Sequence, residues 1–372
     1  MKDGVTGPRN YELISADGHL MEPGDLWVRE SPAKYRDRVP RLEHLEEGDA
    51  WVTPGKGPGF GFVMIACAGR PPDKMSGWCR LDEVNPGVYD PKARVQELDL
   101  DGVDAEVLFP NGLDWVVDSD DREFSLTMTR IYNDHLVSFC QFAPERFGGC
   151  ALVPAHNVED AVAEVQRLGD TQGVVAYLLK RYPTSKQSLS PEDEPLWSAI
   201  AETGKPIAIH VSLTSAASFN LSANPLPGTT HFYDAPTRML EFIFSGVLDR
   251  YPELMVFLAE VDCGWMPYFA QQADDNYSRH AHSMLKDRQL DRMPSDYMRE
   301  RFPASFITDP YAVANRHYVG VERMLWSSDY PHITTDWPYS WRTINSTFLG
   351  VPADERHAIL AGNAQRLFGF GA

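Results

Sequence analysis

The stretch ISADGH, residues 14–19, is a short apolar run that ends in an acid and an imidazole. In a strand, residues two apart face the same way, so Asp17 and His19 can share one face of the element that carries them. The same construction recurs along the chain. His210 closes PIAI (206–209), Glu260 closes LMVFLA (254–259) and Asp329 closes LWSS (325–328). A polar residue that ends an apolar strand is costly to bury unless it is paired or ligated. Strand ends lie far apart in sequence, and they meet at one mouth only when the strands are parallel and closed into a barrel.

Between these runs the sequence alternates strand-like and helix-like patterns. Strands are expected at Leu13–Ala16, Ala105–Phe109, Gly148–Val153, Val174–Leu179, Pro206–His210, Leu254–Ala259, Ala304–Thr308 and Met324–Ser328. Helical periodicity follows near 91–100, 121–143, 158–168, 192–203, 236–250, 264–284, 310–319 and 353–368. Asp90-Pro91 opens the first helix, Ser190-Pro191 precedes the fourth, and Gly204 ends it. Eight such pairs predict a (β/α)8 TIM barrel as one domain over 1–372. The competing open doubly wound sheet lacks a glycine-rich phosphate loop after its first strand.

One segment breaks the repeat. Residues 21–89, rich in Pro and Gly and carrying Trp27, Trp51 and Trp78, form a long insertion after the first strand. It is expected either as a lid or subunit contact over the barrel mouth, or as a surface excursion with a small sheet of its own. A second long loop, 212–235, follows the fifth strand.

Composition narrows the partners. The 372 residues are 43% hydrophobic, enough for a sizeable core, and the formal net charge is −19. Such a field disfavours nucleic acid and anionic membrane surfaces and leaves a small-molecule substrate as the expected partner. The five cysteines are widely spaced without a CxxC pair, and the N-terminus lacks a signal-peptide core. With no long apolar span, a cytoplasmic location is expected.

The motifs ISADGHLMEP (14–23), YDPKARVQELDLDGVDAEVLFP (89–110), YNDHLVSF (132–139), PIAIHVS (206–212), AEVDCGWMPY (259–268), WSSDYPH (326–332) and GNAQRLFG (362–369) resemble the amidohydrolase-related metalloenzymes. The resemblance is to the branch containing aminocarboxymuconate-semialdehyde decarboxylase. It implies that Asp17, His19, His210 and Asp329 hold a divalent metal, and relatives of this kind are commonly homo- or hetero-oligomers. It departs from the pattern at one position. That branch carries a catalytic His at the end of the sixth strand, where this chain has Glu260.

A carboxylate can bridge two cations, which a neutral imidazole cannot. With His332 as a further candidate ligand, the mouth offers mixed carboxylate and imidazole ligands suited to iron, manganese or zinc. The pattern is similar to the Fe/Mn hydroxylases of the 2-aminoisobutyrate hydroxylase type. The favoured expectation is therefore an O2-dependent hydroxylase with a two-metal Fe/Mn centre, Glu260 and Asp329 being catalytic, acting on a small organic acid or amino acid. Without any electron-carrying motif of its own, it would need a separate ferredoxin or reductase. The alternative is a mononuclear Zn or Mn hydrolase or non-oxidative decarboxylase with Glu260 as general base. A third reading is a non-catalytic subunit of a hetero-oligomer.

Weaker candidates are Lys180, His135, His231, Tyr233, Asp234, His280, His282, Cys263, Trp265 and Trp337. For most of them packing, ion pairing or solvation is the expected role.

Overall fold

The computed structural model describes residues 10–55, 58, 66–71, 78–184, 186, 188–213, 234–285 and 289–371. Among them the strands are β1 (Ile14–Leu20), β2 (Arg41–His44), β3 (Asp49–Val52), β4 (Ala105–Pro110), β5 (Phe147–Leu152), β6 (Val174–Leu178), β7 (Ile207–His210), β8 (Val256–Ala259), β9 (Ala304–Phe306) and β10 (Met324–Trp326). β1 and β4 to β10 form one eight-stranded sheet in chain order, and each laddered pair is parallel. Past the end of β10, Asp329 N–H donates to Asp17 O at 3.0 Å and His19 N–H donates to Tyr330 O at 2.7 Å, which brings the last strand back to the first. The fold is the expected (β/α)8 barrel.

Helices between the strands cover the outside of the barrel and side chains from the strands fill its inside, so nearly every strand residue of the barrel is buried. On β4, Phe109 points inward, with its ring centroid 5.0 Å from that of His210 and 6.4 Å from that of Phe257. Glu106, an odd number of residues away, points outward. The helix ends follow their local signals. The Asp90 side chain accepts from Lys92 N–H ahead of Pro91–Asp101, and Gly204 ends Glu194–Thr203 at φ 66°.

Element boundaries differ from the sequence-based expectation in several places. β1 continues past Ala16 because Gly18, His19 and Leu20 pair with β4, Ala16 and Asp17 lying in a register shift between Ser15 and Gly18. The expected helix at 236–250 is two, Asp234–Phe244 and Val247–Arg250, since Gly246 takes φ 73° between them. Helices Pro294–Arg301 and Ser340–Thr347 are additional.

The 21–89 segment carries the antiparallel pair β2–β3. It also has a small apolar cluster of its own that includes Met21, Cys67, Cys79 and Val88. Residues 67 and 68 donate from their backbone N–H groups to Pro331 O at 2.9 and 3.1 Å, so this part of the segment rests on the turn after β10. The GKGPGFGF stretch lies mostly outside the described residues. Among the described residues, no helix is long and apolar enough to cross a membrane.

Behind β1 and β4 lies an ion pair that no solvent reaches. Arg94 and Glu106 are both fully buried, with Arg94 Nε donating to Glu106 Oε1 at 2.6 Å and Nη2 to Oε2 at 2.9 Å. The same guanidinium donates to the backbone oxygens of His19 and Gly87 at 3.1 and 3.2 Å and to that of Tyr330 at 3.2 Å. Gly18 makes room for it, because a Cβ there would stand 2.6 Å from Glu106 Oε2. Replacing Arg94 with Met strands a buried carboxylate, and urea unfolding should show a loss of about 3–5 kcal/mol. The double variant Arg94→Met/Glu106→Leu should recover much of that loss; a double variant no better than the single one would show that the guanidinium's backbone bonds dominate.

Candidate metal centre

The mouth of the barrel gathers Asp17 and His19 from β1, His210 from β7, and Glu260 from the residue after β8. Asp329 and His332 come from the turn after β10. One ligand atom each from Asp17, His19, His210 and Glu260 lie within 4.8 Å of one another, and the same holds for His19, Asp329 and His332. His210 Nε2 is 3.3 Å from Asp17 Oδ2 and 3.5 Å from Glu260 Oε2. His19 Nε2 is 3.5 Å from Asp17 Oδ1 and 3.1 Å from Asp329 Oδ1. His332 Nδ1 is 2.9 Å from Asp329 Oδ1, while its Nε2 stands 2.6 Å from Asn111 Oδ1.

The backbone aims these side chains. Val211, Glu260 and Asp329 all take left-handed φ values, 58°, 54° and 53°. Left-handed backbone is unfavourable for residues other than glycine, and most of all for a β-branched valine. It turns the chain sharply where the strands end. The turn at Glu260 is tied down by its N–H donating to Ser305 Oγ at 2.9 Å. Thr334 Oγ1 donates to Asp329 Oδ2.

Burial sets the electrostatics. Asp17, His19 and Asp329 have almost no exposure. His210 and Glu260 keep 19% and 23%, which makes them the reachable side of the group. Desolvation pushes the Asp17 carboxyl well above the usual range, and Asp329 adds to the push. Glu260 is raised in the same way, by burial first and by Asp329 second. Burial, with His332 nearby, holds His19 down to about 3. Burial alone would raise Asp329, but His332 and His19 outweigh it and keep that carboxyl below its ordinary range. His332 is raised, since Asp329 outweighs its own desolvation.

The fit to a cation rests on the atoms left over. Asp17 Oδ1 and Oδ2, His19 Nε2, His210 Nε2 and Asp329 Oδ1 are all buried without a hydrogen-bond partner, although they approach one another closely. Orphaned polar atoms of this kind are expensive in a folded interior. Two carboxylates and two imidazoles converging in this way match the ligand chemistry of a first-row divalent ion.

Other candidates are placed elsewhere. Lys180 pairs with Asp114 at 2.9 Å. His135 is largely buried on Arg122–Cys140 and is held down to about 4 by desolvation, with Arg29 and Glu30 as its charged neighbours. Asp234 accepts from Leu213 N–H and pairs with Arg238, both close to its own helix. His280 and His282 are exposed, and Cys263 is a buried free thiol whose N–H donates to Asp309 at 2.9 Å. The indole N–H groups of Trp265 and Trp337 donate to Val261 O and Glu97 O. His231 and Tyr233 lie outside the described residues. Sequence reasoning missed Asn111, Ser305 and Thr334. Asn111 directly follows β4, so the strand-end rule that found His210 would have reached it had the rule included neutral polar residues.

The sequence model of the amidohydrolase family matches residues 86–370, more than half of the chain. Gamma-resorcylate decarboxylase of Rhizobium sp. is 26% identical over 301 residues, covering 74% of this chain and 86% of that protein. The 2-amino-3-carboxymuconate-6-semialdehyde decarboxylase of Dictyostelium discoideum is 22% identical over 254 residues, covering 67% and 68%. Among solved structures, a dihydroxybenzoic acid decarboxylase from Polaromonas sp., with bound manganese and the inhibitor 2-nitroresorcinol, superposes with a TM-score of 0.68. It is 18% identical and covers 98% of each chain.

These relatives overturn the expectation of an O2-dependent hydroxylase: the enzymes named among them are decarboxylases. Glu260 lies 3.5 Å from His210 on the open side of the cluster, and His332 stands between Asp329 and Asn111. Both belong to groups that could hold an ion, so the ligand types at the mouth point to a metal without fixing the reaction done beside it.

Replacing His210 with Ala should strip the ion while leaving the barrel folded, because the core lies below the mouth. Elemental analysis of chelator-free protein, with circular dichroism as the fold control, checks this. Full metal occupancy in the variant would remove His210 from the ligand set.

Proposed function

Within the amidohydrolase family, to which this chain belongs, we propose that the protein is a divalent-metal-dependent, non-oxidative decarboxylase of a small carboxylic acid. The hydroxylated aromatic acids named for its relatives are the first class to test. The observation that carries the reading is the set of buried, unpartnered atoms on Asp17, His19, His210 and Asp329, with one reachable carboxyl, Glu260, beside them. Those four side chains would hold a single ion, manganese being the one bound in the Polaromonas structure. When bound, such an ion supplies a Lewis-acid anchor for substrate oxygens.

The protein's own groups do the rest. In decarboxylation the bond from the ring carbon to the carboxylate breaks, its electron pair stays on that carbon, and the carbon takes a proton as CO2 leaves. Glu260 stands on the open side of the ligand group, where it can carry that proton to and from the substrate carbon. Phe109, packed against His19 and His210, gives the site an apolar wall. The part of the 21–89 segment that rests on Pro331 would act as a lid that keeps water from the bound acid.

Manganese-loaded protein incubated with 2,6-dihydroxybenzoate and related hydroxybenzoates should release CO2 equally well with and without dioxygen. Glu260→Gln should keep the ion and lower the rate by roughly 100-fold or more, the usual scale for losing a general acid–base group. A dependence on O2 would defeat the reading, and loss of the ion from the Gln variant would make Glu260 a ligand instead.

A further inference from the structure

Asn111 is the residue that follows β4, at the barrel end that carries the ligand group. It is 6% exposed. Its Oδ1 lies 2.6 Å from His332 Nε2, and the His332 ring stacks on His19 with 3.7 Å between centroids. The amide is therefore one side chain removed from Asp329 and His19. Its Nδ2 is buried and has no hydrogen-bond partner among the described residues. Turning the amide over would give His332 a donor and leave Oδ1 unmatched, so one polar atom of Asn111 stays unsatisfied in either orientation. Buried amide donors are rarely left so.

Resting on the decarboxylase reading, we propose that Asn111 is a specificity-determining residue whose Nδ2 donates to a second oxygen of the substrate, beside the carboxylate. The proposal requires that an oxygen on the ring carbon next to the one bearing the carboxylate meet this donor while the carboxylate stays at the ligand group. The preferred acid is then one with an ortho hydroxyl or phenolate, and an unsubstituted benzoate leaves Nδ2 unmatched. Recognition through a buried polar group discriminates strongly against an analogue that lacks the matching atom, because the protein's own group is left unpaired.

The test compares binding of 2,6-dihydroxybenzoate and benzoate to manganese-loaded protein by calorimetry, with metal content measured alongside. The wild type should prefer the dihydroxy acid by about tenfold or more, the scale of one buried hydrogen bond. Asn111→Asp keeps an acceptor for His332 and removes the donor, and Asn111→Ala removes both. In each the ion should stay and the preference should fall towards unity. A weakening of both acids alike, with the preference intact, or loss of the ion from both variants would make Asn111 a support for His332 and overturn the proposal. So would a wild type that binds the two acids equally. CO2 release is read separately. A preference that depends on Asn111 without CO2 release would leave this recognition standing and defeat the decarboxylase reading, and CO2 release with an unaltered preference would do the reverse.

Discussion

The seam between the first and last barrel strands is the constraint on which the rest of the site depends. Asp329 N–H reaches Asp17 O and His19 N–H reaches Tyr330 O, so three ligand-bearing residues are fixed by one pair of backbone hydrogen bonds. Hydroxyls extend the seam inward. Ser15 Oγ donates to Asp17 O at 2.7 Å and accepts from Ser328 N–H at 2.9 Å. Arg94 secures it from behind through the backbone oxygens of His19 and Tyr330. A buried ion pair is a poor source of net stability compared with apolar packing, but it specifies position strongly, because almost any displacement leaves a charge unpaired. Here the position specified is that of Asp17, His19 and Asp329.

What the seam assembles is unfavourable on its own terms. Burial and the neighbouring Asp329 push Asp17 up, while His332 and His19 hold Asp329 down against its own burial. Left-handed backbone at Val211, Glu260 and Asp329 adds strain at the same end of the barrel. A bound cation would relieve the electrostatic part, matching the orphaned oxygens and imidazole nitrogens and displacing protons from carboxyls that burial had lifted. The scaffold below, with its nearly continuous buried strands, supplies the stability that allows such a site to persist.

The barrel, and the gathering of Asp17, His19, His210, Glu260 and Asp329 at one mouth, were legible in the sequence because both follow from one rule. Apolar runs of strand length ended in Asp, His or Glu, and parallel closure brings strand ends together. The end of β1 was set too early, at Ala16, because the apolar run stops there, although Asp17 and His19 were read as sharing a strand face; pairing of Gly18, His19 and Leu20 with β4 carries the strand to Leu20. Helix Pro294–Arg301 was missed for a different reason: it holds only three buried residues, and its short charged pattern has little periodicity to read. Asn111 could have been reached by extending the strand-end rule to neutral polar residues, but its partner and that of Ser305 lie 221 and 45 residues away, a relation no local pattern encodes. The reaction was the least legible part. Counting carboxylates at the mouth suggested two metals and dioxygen, but ligand types constrain the ion far more than the chemistry done beside it.

That separation places the chemistry on the rim of the site. The enclosed side, Asp17, His19 and Asp329, is shaped by the seam and serves any reaction that needs an anchored carboxylate or carbonyl. The reachable side is shaped by single residues on separate strands: His210 on β7, Glu260 after β8 and Asn111 after β4. Each can be exchanged without disturbing the hydrogen bonds that close the barrel. Glu260 in place of an imidazole is such an exchange. It alters the charge and proton affinity on the reachable side of the cluster, while Ser305 still holds the turn at Glu260. A family built this way can keep its metal and fold while its members differ in which acid they accept and how its proton is supplied.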